Sequence, residues 1–287
     1  MTSIDSLLEY KGMMVSYAGS AEDVMLRRFF GDQTGGFYID VGAHDPLVGS
    51  VTHHFALSGW RGINIEPLPA FFQRLVDARP NDINLNIAVS NDFGTLDLVV
   101  DHTEPGLSTM TQELADGYAA AGHTLERIQV HARPLAAIVQ EHCARRVVDF
   151  LKIDAEGHEL AILRGIDLAT WRPRVILIEA GYKPEGWSSI LVNGGYVLAG
   201  RDLWNHYYVC NEEGERAGLL QFPANVCDRY ISFDHVRALQ AQEEWDSFGP
   251  VIRTIARSLK RRTVASPRLK AVAKNVAKRL FPRLWRA

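Results

Sequence analysis

Four short apolar runs in this 287-residue chain end in carboxylates, and chemistry is to be sought there. Phe37-Tyr38-Ile39-Asp40-Val41-Gly42 carries Asp40 and then a glycine turn. The others end in Glu66, Asp154 and Glu179. Runs rich in β-branched and aromatic residues between turn signals read as strands. Ligands of an open α/β sheet bind outside the carboxyl ends of its strands. Carboxylates on that edge either accept hydrogen bonds from a ligand's hydroxyls or hold a hard cation. One acid after a strand also serves as a cap for the next helix. Four on one edge are harder to account for that way.

Gly42 allows a turn that a β-carbon would obstruct. It is not part of a dinucleotide fingerprint, which needs three glycines. Glu66 follows it by about 24 residues, close to the roughly 20-residue offset of a ribose-binding carboxylate. The pair therefore points to a nucleoside. Asp154-Ala155-Glu156-Gly157-His158-Glu159 is the densest ionisable cluster. It reads as a helix start with acids favoured by the dipole. It also reads as a catalytic set, with Asp154 a metal or acceptor ligand and Glu156 or His158 the general base. A histidine titrates in the right range for that task. Glu179 would then be a second ligand of Mg²⁺. No H-E-x-x-H or Cys/His zinc spacing is present, and oxygen ligands suit Mg²⁺. Asp202 to Tyr208 reads either as an aromatic hairpin turn or as an acceptor wall, with Asn205 and His206 meeting hydroxyls. His53 and His54 are further candidates for contact with substrate.

The elements that position these residues follow from periodicity. Ala21 to Phe30 is helical, with Ser20 a plausible N-cap. A helix is expected from Leu47 to Gly59 and another over Pro69–Ala78, with proline near its first position. Ile83 to Val89 alternates at the strand period. Thr95 to Val100 is expected to form a hairpin with it across Asn91-Asp92-Phe93-Gly94. Thr103 to Arg127 is the least regular interior stretch and reads either as a substrate-side lid or as a plain surface excursion. Pro134–His142, His158–Arg164 and Trp187–Asn193 read as helices. Val147–Ile153 and Arg174–Ile178 read as buried strands. Tyr196–Gly200 and His206–Asn211 close the series. Strands alternating with helices predict a doubly wound, mostly parallel sheet.

Composition fits a soluble globular chain: 47% hydrophobic, 23% charged. No apolar run approaches the ~18 residues of a membrane-spanning helix. Met1 to Tyr10 holds Asp5 and Glu9 without a basic stretch, so no export signal is expected. Three cysteines without a C-x-x-C pair argue for a reducing cytoplasm. The net charge of −3 conceals an asymmetry. From Arg253 onward there are 12 Lys or Arg and no acid. The rest of the chain holds 19 Lys or Arg against 34 Asp or Glu. Pro267 to Trp285 has Leu269, Val272, Val276 and Leu280 on one helical stripe and Lys270, Lys274 and Lys278 on another. Such a helix lies on a membrane surface, here the inner face, or docks a homodimer. The acidic body argues against nucleic acid.

Taken together these residues resemble the FkbM-type family of S-adenosylmethionine-dependent methyltransferases. The likeness runs from about Tyr17 to Asn211. Gly19-Ser20-Ala21-Glu22-Asp23, Tyr38-Ile39-Asp40-Val41-Gly42-Ala43-His44, Ser50-Val51-Thr52 and Gly59-Trp60-Arg61-Gly62 carry it first. Ile65-Glu66-Pro67, Ala88-Val89-Ser90, Asp149 to Gly157 and Ile178-Glu179 complete it. Ser16-Tyr17-Ala18 departs from the Ser-Gln pair of many relatives. The resemblance implies a class I methyltransferase, Rossmann-like sheet of seven strands, the last antiparallel. It would occupy 37–250, with a helical lead-in (1–36) and a basic tail (251–287). Asp40 and Gly42 would form the cofactor turn, and Glu66 would hold the ribose. Ser50 would lie near the methionine carboxylate and Ala88 and Val89 beside adenine, with Asp154 also in reach of the cofactor. The expected activity is O-methylation of a sugar, oligosaccharide or glycolipid-type hydroxyl, assisted by Mg²⁺. A polyketide or other small natural product is the alternative acceptor. A non-catalytic nucleoside-binding or membrane-docking protein is the alternative of another class.

Overall fold

A computed structural model describes residues 12–143, 146–181 and 185–247. The basic tail and its membrane or dimer role lie outside the described residues. In chain order the elements are β1 (Met14–Ser16), α1 (Glu22–Phe30), β2 (Phe37–Val41), α2 (His53–Leu57), β3 (Arg61–Ile65), α3 (Pro69–Ala78), β4 (Ile83–Leu85), β5 (Ala88–Ser90) and β6 (Gly94–Asp101). Then come α4 (Gln112–Ala120), β7 (Leu125–Pro134), α5 (Leu135–Cys143), β8 (Phe150–Ile153), α6 (Glu159–Arg164), β9 (Val175–Glu179) and α7 (Glu185–Asn193). β10 (Tyr196–Arg201), β11 (Asn205–Cys210), β12 (Tyr230–Ser232) and α8 (Phe233–Ser247) complete the series. Ser16–Tyr230 forms one compact unit and contains every residue discussed below.

The main sheet has seven strands in the order β10-β11-β9-β8-β2-β3-β4. Pairings from β9 to β4 are parallel, and β11 runs antiparallel to both its neighbours. The period-2 alternation of the strands sorts side chains onto two faces. Ile39, Val41, Ile63, Ile65, Leu151, Ile153, Ile176 and Ile178 face the core shared with Ile138, Ile162 and Trp187. Tyr38, Phe150, Val175 and Leu177 face Met25, Phe29, Phe30, Phe55 and Trp60. Helices thus cover both faces, and the central strands are mostly apolar, with Asp40, Asn64 and Lys152 the buried polar exceptions.

Several expected boundaries shift, each for a physical reason. α1 is capped by Ala21 in a left-handed conformation, not by the Ser20 hydroxyl. Ser20 instead donates its N–H to Glu22 Oε2 at 2.7 Å. The helix expected over Leu47–Gly59 is only His53–Leu57, because residues 45–52 are spent on turns around Asp45 and Asp40. The single strand expected over Ile83–Val89 breaks at Asn86, whose side chain donates to the carbonyls of Glu66 and Pro67. β4 stays in the main sheet. β5 leaves it for a three-stranded sheet, β5-β7-β6. β6 therefore pairs antiparallel with β7, not with its predecessor. The irregular stretch after Thr103 contains a helical turn at Pro105–Leu107 and all of α4.

One polar knot fixes the loop before α2 against the sheet. Arg79 is buried, with Nη2 donating to Pro46 O at 2.7 Å and Nη1 to Tyr38 Oη at 3.2 Å. Asp82 accepts from Tyr38 Oη at 2.6 Å and lies 4.0 Å from Arg79. Removing one member of a buried pair strands the other. Arg79→Ala is expected to cost about 3 kcal/mol or more, read from urea unfolding. A loss below about 1 kcal/mol would class the pair with solvent-exposed bridges.

Candidate active site

The carboxyl edge of the sheet is held together by Lys152. Its ammonium is buried and donates to the carbonyl of Gly42 at 2.8 Å. It stands 3.2 Å from Asp40 Oδ1 and 3.3 Å from Asp154 Oδ2. The sheet register places Asp40 opposite Lys152 on adjacent parallel strands. Burial alone would lower the lysine's pKa, but the two carboxylates outweigh it and raise it. Burial raises Asp40 in turn, and Lys152 opposes that shift. Thr52 donates to the second oxygen of Asp40 at 3.1 Å. Lys152 had no assigned role in the sequence. The signal available was a lysine inside an otherwise apolar strand, since a fully buried lysine is almost always paired.

Gly42 sits where strands β2 and β8 end. It has φ +75°, and a β-carbon there would stand 1.9 Å from the carbonyl oxygen of Asp154. Two backbones pass each other here with no room for a side chain. Glu66 lies across the turn and is buried. Its oxygens accept from His44 N at 2.8 Å and Leu68 N at 2.7 Å. Burial pushes its carboxyl up to about 7, with those N–H groups and Lys152 pulling the other way. His44, at φ 48°, lies over the ring of Phe71 at 3.8 Å between centroids.

These groups border a cleft of about 920 Å³. Asp40, Gly42, Glu66, Lys152, Asp154 and Glu156 give it a polar lining, and Ala88, Val89 and Leu98 an apolar one. Pro105, Gly106, Ser108 and Met110 cover it, so the expected lid contributes to this cleft. Thr109 fastens the cover by donating to Glu156 O at 2.6 Å.

Asp154, Glu156 and Glu179 converge, with one oxygen from each within 4.8 Å of the others. Glu179 Oε2 is buried and has no hydrogen-bond partner among the described residues. Burial raises the Glu179 carboxyl well above the usual range, and Asp154, Glu156 and Glu159 add to the shift. An all-oxygen donor set with an unpaired buried oxygen fits a hard divalent cation.

Other expected site residues lie elsewhere. Ser50 is buried behind the cleft, 3.4 Å from the Thr52 hydroxyl. His158 faces Ser90 Oγ at 3.0 Å and does not line the cleft. His53 Nδ1 accepts from Arg79 Nη2 at 2.9 Å, and burial, then Arg79, pushes it down to about 4. Burial likewise pushes His54 down to about 4. Neither lines the cleft. Asn205 Nδ2 donates to Glu22 Oε1 at 3.1 Å and to Asp202. His206 stands edge-on to Trp187 at 5.8 Å. Neither borders the cleft, because strand pairing turns them toward the flanks.

The sequence matches the profile of the methyltransferase FkbM domain over residues 40–240, well over half of the chain. The chain belongs to this family. Two solved structures are similar to this FkbM-family chain. One is the methyltransferase FkbM from Methylobacillus flagellatus KT, at 15% identity and TM-score 0.38. That match covers 61% of this chain and 43% of that one, so the chain spans less than half of that protein's length. The other is the C-terminal domain of precorrin-6Y C5,15-methyltransferase from Rhodobacter capsulatus, at 14% identity and TM-score 0.29, covering 65% and 85%. No curated protein matches the sequence. Among the described residues no helix is long and apolar enough to cross a membrane.

The Gly42 geometry gives a direct test of the site. Gly42→Ala is expected to displace the β2–β8 crossing and abolish nucleoside binding by calorimetry, with the far-ultraviolet spectrum retained. Unchanged binding would show that the turn does not frame the ligand.

Proposed function

We propose that this FkbM-family domain is an S-adenosylmethionine-dependent O-methyltransferase. The acceptor is the hydroxyl of a small hydroxylated molecule of the sugar or glycolipid class. The observation that carries the reading is that Glu66, the Ala88, Val89 and Leu98 surface, Asp154 and Glu156 all line one cleft. Glu66 supplies carboxylate oxygens to ribose hydroxyls, and the apolar wall supplies a slot for adenine. The missing glycines of a dinucleotide fingerprint agree with this, since one nucleoside with an amino-acid tail has no pyrophosphate to admit. The strand-ordered class I sheet, with β11 reversed, supports it further.

Bound S-adenosylmethionine supplies a methyl group on a sulfonium, already a good leaving group. The chain's residues then have two tasks, alignment and proton removal. Glu156 would take the proton of the acceptor hydroxyl, and the residues lining the cleft would hold the cofactor whose sulfonium supplies the methyl group. Asp154, Glu156 and Glu179 would hold a Mg²⁺ ion, which supplies a Lewis acid that makes a hydroxyl more acidic. Lys152, 3.3 Å from Asp154, holds that carboxylate in place.

The protonation of Glu66 gives the cofactor reading a pH dependence. Above about 7 its carboxylate accepts hydroxyl hydrogens; below, it carries a proton and loses that capacity. Affinity for S-adenosylhomocysteine, measured calorimetrically, is therefore expected to fall as pH drops from 8 to 6, by up to about tenfold per unit. Glu66→Gln should bind weakly at every pH. Affinity that ignores pH would remove Glu66 from the ribose.

Methyl transfer is tested by mass spectrometry over a panel of hydroxylated sugars and glycolipids, with and without Mg²⁺. Asp154→Asn is expected to lower turnover by about 10²-fold or more while S-adenosylhomocysteine still binds. Turnover equal to wild type would refute the catalytic assignment.

A further inference from the structure

One large aromatic ring beside the carboxylates faces solvent. Of the tryptophans with described side chains, Trp60 and Trp187 are buried and Trp171 is half-buried, whereas Trp204 is 54% exposed. Leu203 next to it is exposed as well. Single apolar residues are common on surfaces, so exposure alone decides nothing. The place of the ring does. Trp204 ends the turn between β10 and β11, and its carbonyl accepts from Ala180 N at 2.7 Å, one residue past Glu179. The following residue, Asn205, pairs with Glu179 across the β11–β9 ladder. A β-carbon on Gly181 would stand 3.6 Å from Glu179 Oε1 and 4.0 Å from Trp204 Cε3. Indole and carboxylate thus flank one point, and Gly181 puts no side chain there.

The turn that carries the ring is well tied. Asp202 Oδ1 accepts from Trp204 N and Asn205 N, both at 2.8 Å, and its Oδ2 accepts from Tyr207 Oη at 2.7 Å. Asp202 N closes the hairpin on Asn205 O at 3.0 Å. Asn205 Nδ2 anchors it to Glu22 Oε1 at 3.1 Å. A large ring on a fixed backbone offers contact area at a small cost in conformational freedom. Trp204 does not line the cofactor cleft, so the nucleoside does not claim it. Glu179 beside it belongs to the cluster with Asp154 and Glu156, both of which do line that cleft. Its Oε2 is buried without a hydrogen-bond partner among the described residues.

We propose that Trp204 is the platform for the acceptor: a pyranose lies with its C–H face on the indole and turns its hydroxyls to the carboxylate cluster. The proposal rests on the methyltransferase reading and names the residue that selects its sugar acceptor. A pyranose with equatorial hydroxyls has an apolar face of C–H groups and a polar rim. The electron-rich face of the indole attracts the first. Carboxylate oxygens accept hydrogen bonds from the second. A flat aromatic acceptor would also stack on the indole, but it brings few hydroxyls to three carboxylates.

The experiment uses the full chain and two kinds of probe: the methyl β-D-pyranosides of glucose, galactose and xylose, and 2,7-dihydroxynaphthalene as a flat aromatic. Saturation-transfer NMR follows probe binding, and calorimetry follows S-adenosylhomocysteine. At least one pyranoside should bind wild type more tightly than the naphthalene does. Trp204→Phe should keep that affinity within about threefold, and Trp204→Ala and Trp204→Leu should each lower it about tenfold or more. Leucine keeps apolar bulk without a π-face, so its loss separates stacking from plain contact. The ring is exposed and outside the cofactor cleft, so Tm and S-adenosylhomocysteine affinity should stay at the wild-type values in all three variants. The proposal is overturned if no pyranoside binds, if the naphthalene binds more tightly than every pyranoside, or if Trp204→Ala or Trp204→Leu binds the pyranoside as wild type does. Failure of S-adenosylhomocysteine to bind wild type would overturn the cofactor reading, while the NMR comparison still decides the role of Trp204.

Discussion

The buried ammonium of Lys152 is the constraint on which the site depends. It contacts Asp40, Asp154 and the Gly42 carbonyl at once. Burying any one of these charges alone would be prohibitive. Together they leave a single net negative charge, and the Gly42 oxygen takes one of the lysine's three donors. The ends of β2 and β8 are thereby joined at the point where Gly42 lets the chains nearly touch. Removal of the lysine would leave the buried carboxylate of Asp40 without its cation and beside the half-exposed Asp154, which is why it cannot be a passive core residue.

From that junction the edge divides into two electrostatic environments. Asp40 and Asp154 share the lysine's field. Glu66 and Glu179 lie farther out, each pushed toward protonation mainly by burial. Glu66 is tempered by two backbone N–H groups, one on each oxygen, which fix its orientation. Glu179 has neighbouring carboxylates in place of donors, so it retains a proton or calls for a cation. The same sheet edge thus carries the buried Glu66 carboxylate after β3 and, three strand positions over, the Asp154, Glu156 and Glu179 cluster around the end of β9.

The strand ends were legible in the sequence because each apolar run stops at an acid, and the parallel sheet aligns those ends. Asp40, Gly42, Glu66, Ala88, Val89, Asp154 and Glu156 all border one cleft, although Val89 was expected within a longer strand. What was not legible depended on distant partners. Asn86 breaks a period-2 run only because it caps carbonyls of residues 66 and 67. β5 joins β7, about forty residues away, so a local hairpin rule chose the wrong neighbour for β6. The histidines at 53 and 54 have the chemistry of a site, yet Arg79 and burial claim them. Lys152 looked like one charge in a strand until the sheet register set Asp40 beside it.

The central claim is that the cleft between Glu66 and Asp154 holds S-adenosylmethionine. A crystal structure of the chain soaked with S-adenosylhomocysteine tests it most directly. The account predicts adenine against Ala88, Val89 and Leu98, ribose hydroxyls on Glu66, and sulfur toward Asp154. Density for the nucleoside outside this cleft, or none there at saturating ligand, would contradict it.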